Sequence, residues 1–223
     1  MSLFIPNMKT SVGKKVIMGL SGLFLILFSL GHLVGNTMIM RSAEAFNMYG
    51  HFLITNPLIY FAEFMIVAFF LTHLIMGLHL AWVNFRARPI RYAYKHKEVQ
   101  NATFASKTMP YTGIIFITFL VFHILQFKYG AHYVATYAGL EVRDLYRLLL
   151  EYFSNPLHVA WYIFAMFAIG IHVSHGFWSL FQSLGLNHPR YMPAIQVVSK
   201  LYGVVIAIGY SSLPIFCYLQ GVQ

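Results

Sequence analysis

The sequence predicts an all-α integral membrane protein, a single domain over 1–223 built as a bundle of five transmembrane helices. Apolar residues make up 59% of the chain and charged residues only 9%, against roughly 25% charged in a soluble domain. Five apolar stretches each exceed the ~20 residues that a helix needs to cross the hydrocarbon core. Such stretches read as helices because hydrocarbon offers nothing to an unpaired backbone N–H or C=O. A third observation bears on function: a histidine recurs at mid-membrane depth in four of the five stretches.

The first span is read at about 13–40. Lys9, Lys14 and Lys15 precede its apolar run, which is longer than the ~7–15 residues of a cleavable signal, so it is expected to stay as a spanning helix. The second span is read at about 56–85, the third at 109–130, the fourth at 156–185 and the fifth at 194–219. The link between the first two spans, and the stretch 131–155, are expected to carry short surface helices. In 141–153, Leu145, Leu148, Leu149 and Tyr152 recur at helical spacing.

The formal charge of +9 is a matter of topology here, and no nucleic-acid partner is expected. Arg86, Arg88, Arg91, Lys95, Lys97 and Lys107 crowd the link between the second and third spans against one acid, Glu98. The N-terminal lysines, Arg190 and Lys200 fall on the same side. The other side holds Arg41, Lys128, Arg143 and Arg147, balanced by Glu44, Glu141, Asp144 and Glu151. The positive-inside rule then places the N-terminus in the cytoplasm and the C-terminus outside a bacterial cytoplasmic (inner) membrane. Contact with anionic lipid accounts for most of these charges. Cys217 is the only cysteine, which excludes an intrachain disulfide and a Cys-x-x-Cys-His haem attachment.

His32, His73, His123 and His172 are about 41 to 50 residues apart on four different spans. A polar side chain at that depth is a candidate functional group. Because alternate spans run in opposite directions, His32 and His123 fall toward the outside, and His73 and His172 toward the cytoplasm. Two bis-histidine pairs in two layers suit two haem groups stacked across the membrane. Zinc would require a compact tetrahedral set. Bis-histidine haem leaves no open iron position, which suits electron transfer. His73 and His172 are each followed by glycine four residues later (Gly77, Gly176), and Gly31 and Gly35 flank His32. Such glycines admit a flat macrocycle, or equally close helix packing. His79 and His175 remain competitors for the second and fourth positions, whereas His51, His96, His132, His158 and His188 read as loop or helix-end residues.

The chain resembles the dihaem cytochrome b membrane subunits of succinate:menaquinone oxidoreductases and quinol:fumarate reductases. The resemblance is carried by Gly31-His32-Leu33-Val34, the Ala43-Glu44-Ala45-Phe46-Asn47 stretch with His51, His73 with Gly77, and Phe119-Leu120-Val121-Phe122-His123. The run His172-Val173-Ser174-His175-Gly176-Phe177-Trp178, leading to Leu184-Gly185-Leu186-Asn187-His188-Pro189, completes it. The resemblance implies that His32 and His123 bind the distal haem b iron and His73 and His172 the proximal one, and it favours these over His79 and His175. It further implies a flavoprotein subunit with FAD and an iron–sulfur subunit on the cytoplasmic face, with electrons passing between the clusters and a quinone, here menaquinone. Some relatives carry an acid two residues before the fourth-span ligand, where this chain has Gly170.

Glu63 is the one acid expected inside a span, and is the candidate for exchanging protons with a quinone, with Ser29, Asn36 and His51 at similar depth. Lys14, Lys15, Ser21, Lys107 and Ser183 are candidate partners for haem propionates. The expected function is therefore the electron-transferring, quinone-reactive membrane anchor of a succinate dehydrogenase or fumarate reductase complex, with succinate chemistry in another chain. Two rivals are a haem b subunit of another respiratory enzyme and a haem-free transporter with a histidine proton relay.

Overall fold

The computed structural model describes residues 10–87 and 104–221. Lys9 and the Arg88, Arg91, Lys95, Lys97 and Glu98 cluster lie outside the described residues. Helix α1 (Ser11–Asn36) begins where the Thr10 hydroxyl accepts the Gly13 N–H at 3.1 Å, an N-cap that satisfies a free first-turn donor. A 3₁₀ turn (Thr37–Met40) extends it, and α2 (Ala43–Thr55), capped by Ser42, forms the expected surface helix of the first link. Helix α3 (Ile59–Arg86) starts later than expected. Asn56 precedes a proline, is extended, and its side chain accepts the Leu58 N–H at 2.9 Å. Helix α4 (Phe104–His123) tolerates Pro110 near its start and ends in a π turn (Ile124–Lys128). Helices α6 (Pro156–Ser183) and α7 (Met192–Gly221) are the fourth and fifth spans.

The stretch 131–155 differs from expectation. It holds helix α5 (Leu145–Phe153), but ahead of it stands an antiparallel hairpin, β1 (Val134–Tyr137) with β2 (Leu140–Arg143). Tyr137 pairs with Leu140, leaving a two-residue turn in which Ala138 and Gly139 have φ of 49° and 83°. Two positive φ values are the mark of the turn whose twist matches paired strands.

Helix α1 packs between α3 and α6, α4 packs on α6, and α7 lies along α6. Around the bundle the order is therefore α3, α1, α6, α4, with only light contact closing α4 back to α3. Helices α1 and α4 face each other across one diagonal, and α3 and α6 across the other. Among the described residues five helices are long and apolar enough to cross a membrane. Phe61, Phe64, Leu71 and Ile75 of α3 stand exposed on its outer face, as lipid-facing side chains should.

Two contacts hold the frame. At the α6–α7 crossing the backbones meet at Gly170 and Gly203: a Cβ on Gly170 would lie 2.7 Å from the Gly203 carbonyl oxygen and 2.9 Å from the Ala207 Cβ. From α7, the Tyr202 hydroxyl donates to the Ile26 carbonyl at 2.6 Å and the Tyr210 hydroxyl to the Ser29 carbonyl at 2.7 Å, fastening α7 to α1.

The outer end is closed by α2, the hairpin and α5, tied through Asn47, which is 0% exposed. Its amide donates to Asp144 Oδ1 at 2.8 Å and to the Tyr137 hydroxyl at 3.1 Å, and its carbonyl accepts the Tyr146 N–H at 2.9 Å. On the surface beside it, Arg147 Nε donates to Glu151 Oε1 at 2.8 Å and its guanidinium lies 4.2 Å above the Tyr133 ring. Hydrogen bonds from Tyr133 and then Arg147 hold the Glu151 carboxyl below the usual range.

Three outcomes follow. Asn47→Ala strands several buried partners and costs about 1–3 kcal/mol per unsatisfied group, read as a lowered Tm of the detergent-solubilised protein. Gly170→Leu forces α6 from α7 and costs at least ~1–3 kcal/mol, measured the same way. Since its folded-state pKa is depressed, Glu151 stabilises the cap above the ordinary glutamate range and ceases to do so as pH falls through the folded value. The Tm gap between wild type and Glu151→Gln therefore narrows to nothing in acid.

Candidate functional site

The four histidines meet in two pairs, and each pair spans a diagonal. His32 of α1 and His123 of α4 have ring centroids 6.0 Å apart with planes at 87°. His73 of α3 and His172 of α6 have centroids 6.2 Å apart with planes at 68°. Each pair thus lies across the bundle axis, between helices that do not otherwise pack closely.

The layers can be counted along the helices. Gly22 is the α1 residue facing His73: a Cβ there would lie 3.1 Å from His73 Cε1. Gly113 is its counterpart on α4, with His172 Cε1 at 3.7 Å. Gly22 precedes His32, and Gly113 precedes His123, by ten residues each, about 15 Å at 1.5 Å per residue. Two independent helices give the same separation between the pairs. Glu63 and Tyr162 likewise precede His73 and His172 by ten residues, so they stand at the outer level.

Hydrogen bonds orient the inner rings. His73 Nδ1 lies 3.0 Å from the Met18 carbonyl oxygen, a pure acceptor, so Nδ1 carries the proton and Nε2 keeps its lone pair. The Thr112 hydroxyl donates within its own helix, to the carbonyl of Thr108 or Met109 at 3.1 Å, and its oxygen accepts from His172 Nδ1 at 3.1 Å. His172 Nε2 is then free as well. At the outer pair the surroundings are aromatic. Phe28 stacks beside His32 at 5.5 Å and Phe119 beside His123 at 5.4 Å, with Phe127, Tyr162 and Tyr210 completing the wall. His123 Nδ1 is buried without a hydrogen-bond partner.

This arrangement fits an iron bound by two imidazoles. With each metal–nitrogen bond about 2 Å and each ring centre roughly 1.2 Å behind its nitrogen, two axial imidazoles have centroids about 6.3 Å apart. Both pairs lie close to that separation. Among the described residues no group of three or more His, Cys, Asp or Glu side chains comes together as a metal cluster.

The competing histidines point elsewhere. His79 is exposed, with Lys14 Nζ 2.8 Å from its Nε2. His175 packs edge-on to Trp178 at 5.2 Å. Glu63 is not the solitary buried acid expected: its side chain is 43% exposed and forms an ion pair with Lys128 of the π turn. The late start of α3 leaves it about one turn from the start of the helix, and Lys128 of the π turn reaches it. Of its expected companions, Ser29 bonds the Tyr202 hydroxyl at 2.8 Å, Asn36 donates to the His32 carbonyl at 2.7 Å, and His51 remains on α2. Gly170 has no room for a side chain against Gly203.

Thr112, the Met18 carbonyl, Gly22 and Gly113 went unnoticed in the sequence. The equal offsets Gly22–His32 and Gly113–His123 were the available signal for the glycines; Thr112, one residue before Gly113, follows from it only once the helices are packed. Replacing Thr112 by valine removes the hydroxyl that His172 Nδ1 bonds and costs about 1–3 kcal/mol. The expected result is a lower Tm, restored in Thr112→Ser.

Over 83% of its length the chain is 27% identical to the succinate dehydrogenase cytochrome b558 subunit of Bacillus subtilis (strain 168), and the match covers 84% of that relative. No family model and no solved structure matches the chain.

Proposed function

We propose that this chain is the dihaem cytochrome b membrane subunit of a succinate dehydrogenase or fumarate reductase complex, carrying electrons between an iron–sulfur subunit and a quinone. The observation that carries the reading is the pair of histidine diagonals, each at the separation of two axial imidazoles. The similarity to a succinate dehydrogenase cytochrome b558 subunit supports it over nearly the whole chain.

His73 and His172 hold the inner haem b, and His32 and His123 the outer one. Bound there, each haem would supply one-electron transfer with no open iron position. The chain's own residues do the rest. The Met18 carbonyl and Thr112 fix the inner tautomers so that each Nε2 keeps its lone pair for the iron. Phe28, Phe119, Phe127 and Tyr162 exclude water from the outer pair. Gly22 and Gly113 make room beside the backbone for the His73 and His172 imidazoles.

The quinone, menaquinone on this reading, reacts near the outer pair. Its reduction takes up two electrons and two protons, and Glu63 is the carboxylate on this level able to hold a proton. Lys128 pairs with that carboxylate and holds it at this level. The flavoprotein with FAD and the iron–sulfur subunit sit on the cytoplasmic face, beside the N-terminus and the basic link, with the C-terminus outside.

A reduced-minus-oxidised spectrum of the purified chain, with haem quantified per polypeptide, tests this. The expected content is about two b haems, with His32→Ala or His123→Ala removing one signal and His73→Ala or His172→Ala the other. A folded preparation without haem would overturn the reading in favour of a histidine relay. Copurifying subunits separate succinate dehydrogenase from another respiratory enzyme. Glu63→Gln is expected to slow quinone turnover while both haem signals persist.

A further inference from the structure

At the end of the bundle nearest His73 and His172, a cavity of about 280 Å³ opens between α1, α3 and α6. Lys15, Asn84, Ser179, Gln182 and Ser183 line it, with Met18 and Leu80 at its apolar wall. No acid lines it. The side chains of Lys15, Asn84, Ser179 and Gln182 make no hydrogen bond to another described residue, so their donors are available at the cavity mouth. Leu80 follows His73, and Ser179 follows His172, by seven residues each, about 10 Å along the axis. Met18 belongs both to the cavity wall and, through its carbonyl, to His73.

Other cations and hydroxyls at this end are occupied or displaced. Lys14 Nζ contacts His79, Ser21 donates to the Ile17 and Met18 carbonyls, and Ser183 donates to the Ser179 carbonyl. Lys107 lines a separate apolar groove between α3 and α4.

We propose that this cavity is a carboxylate-binding subsite that anchors the propionate edge of the haem held by His73 and His172. Lys15 supplies the charge, and Asn84, Ser179 and Gln182 supply neutral donors. The proposal rests on the dihaem reading and deepens it. A cation beside a carboxylate makes a charge-assisted hydrogen bond, and a positive charge near the iron favours its reduced state.

The test is a redox titration and resonance Raman spectrum of the detergent-solubilised chain carrying Lys15→Gln, Lys15→Arg or Ser179→Ala. The inner haem is identified as the one lost in His73→Ala. Lys15→Gln is expected to lower the inner midpoint potential and move the propionate bending band, with the outer haem unchanged. Lys15→Arg is expected to restore the potential, and Ser179→Ala to move the band alone. If both potentials and the band stay put in Lys15→Gln and Ser179→Ala, the inference falls while the dihaem reading stands. Loss of copurified anionic phospholipid from Lys15→Gln, with the haem signals intact, would assign the cavity to a lipid phosphate and overturn the proposal. A wild-type chain without haem removes both.

Discussion

A neutral imidazole has one nitrogen that donates and one that accepts, and hydrocarbon satisfies neither. Much of the bundle answers that demand. At the inner level the Met18 carbonyl and the Thr112 hydroxyl take the Nδ1 protons, which leaves a lone pair on each Nε2. Those lone pairs cannot bond to each other, because both are acceptors. On the proposed function a haem iron takes both lone pairs, and the diagonal placement sets the distance between the two rings. The outer level solves the problem differently, with aromatic walls and an unpartnered His123 Nδ1.

The diagonals themselves follow from packing at a distance from the histidines. The Gly170–Gly203 contact seats α7 against α6, and Tyr202 and Tyr210 tie it to α1. The cap built on Asn47 joins three connections at the outer end. With α1, α6 and α4 held in place, α3 stands at the fourth corner, linked to α4 chiefly by Lys128 and Glu63 at the outer end. The bundle is therefore firm on the α7 side and lightly closed along the α3–α4 seam.

Much of this was legible in the sequence. Hydrophobic runs gave the five spans to within a few residues, because bilayer thickness dictates their length. The sorting of the histidines by depth followed from chain direction and helical rise alone. The hairpin at 134–143 was missed because leucine spacing in the neighbouring α5 dominated the stretch, and the Ala138-Gly139 turn is a weak signal without its strands. Glu63 was expected alone because the π turn that carries Lys128 to it depends on tertiary packing. Thr112 could not be found from the sequence, since its partner is 60 residues away. The cap proline rule, by contrast, was available at Asn56 and would have placed the start of α3 correctly.

The glycine contact between α6 and α7 has an electrical consequence. Among the described residues Glu63 is the only acid within a span, and it stands near the outer surface. The α6 position that could hold a second carboxylate is closed by the neighbouring backbone. An electron passing between the two histidine layers would thus cross about half the hydrocarbon without a carboxylate in the spans to relay a compensating proton. Such a step does work against, or draws work from, the transmembrane voltage, roughly 1 kcal/mol per electron for each ~100 mV. On the proposed function, the favoured direction of electron flow in an energised membrane would depend on the voltage as well as on the redox partners.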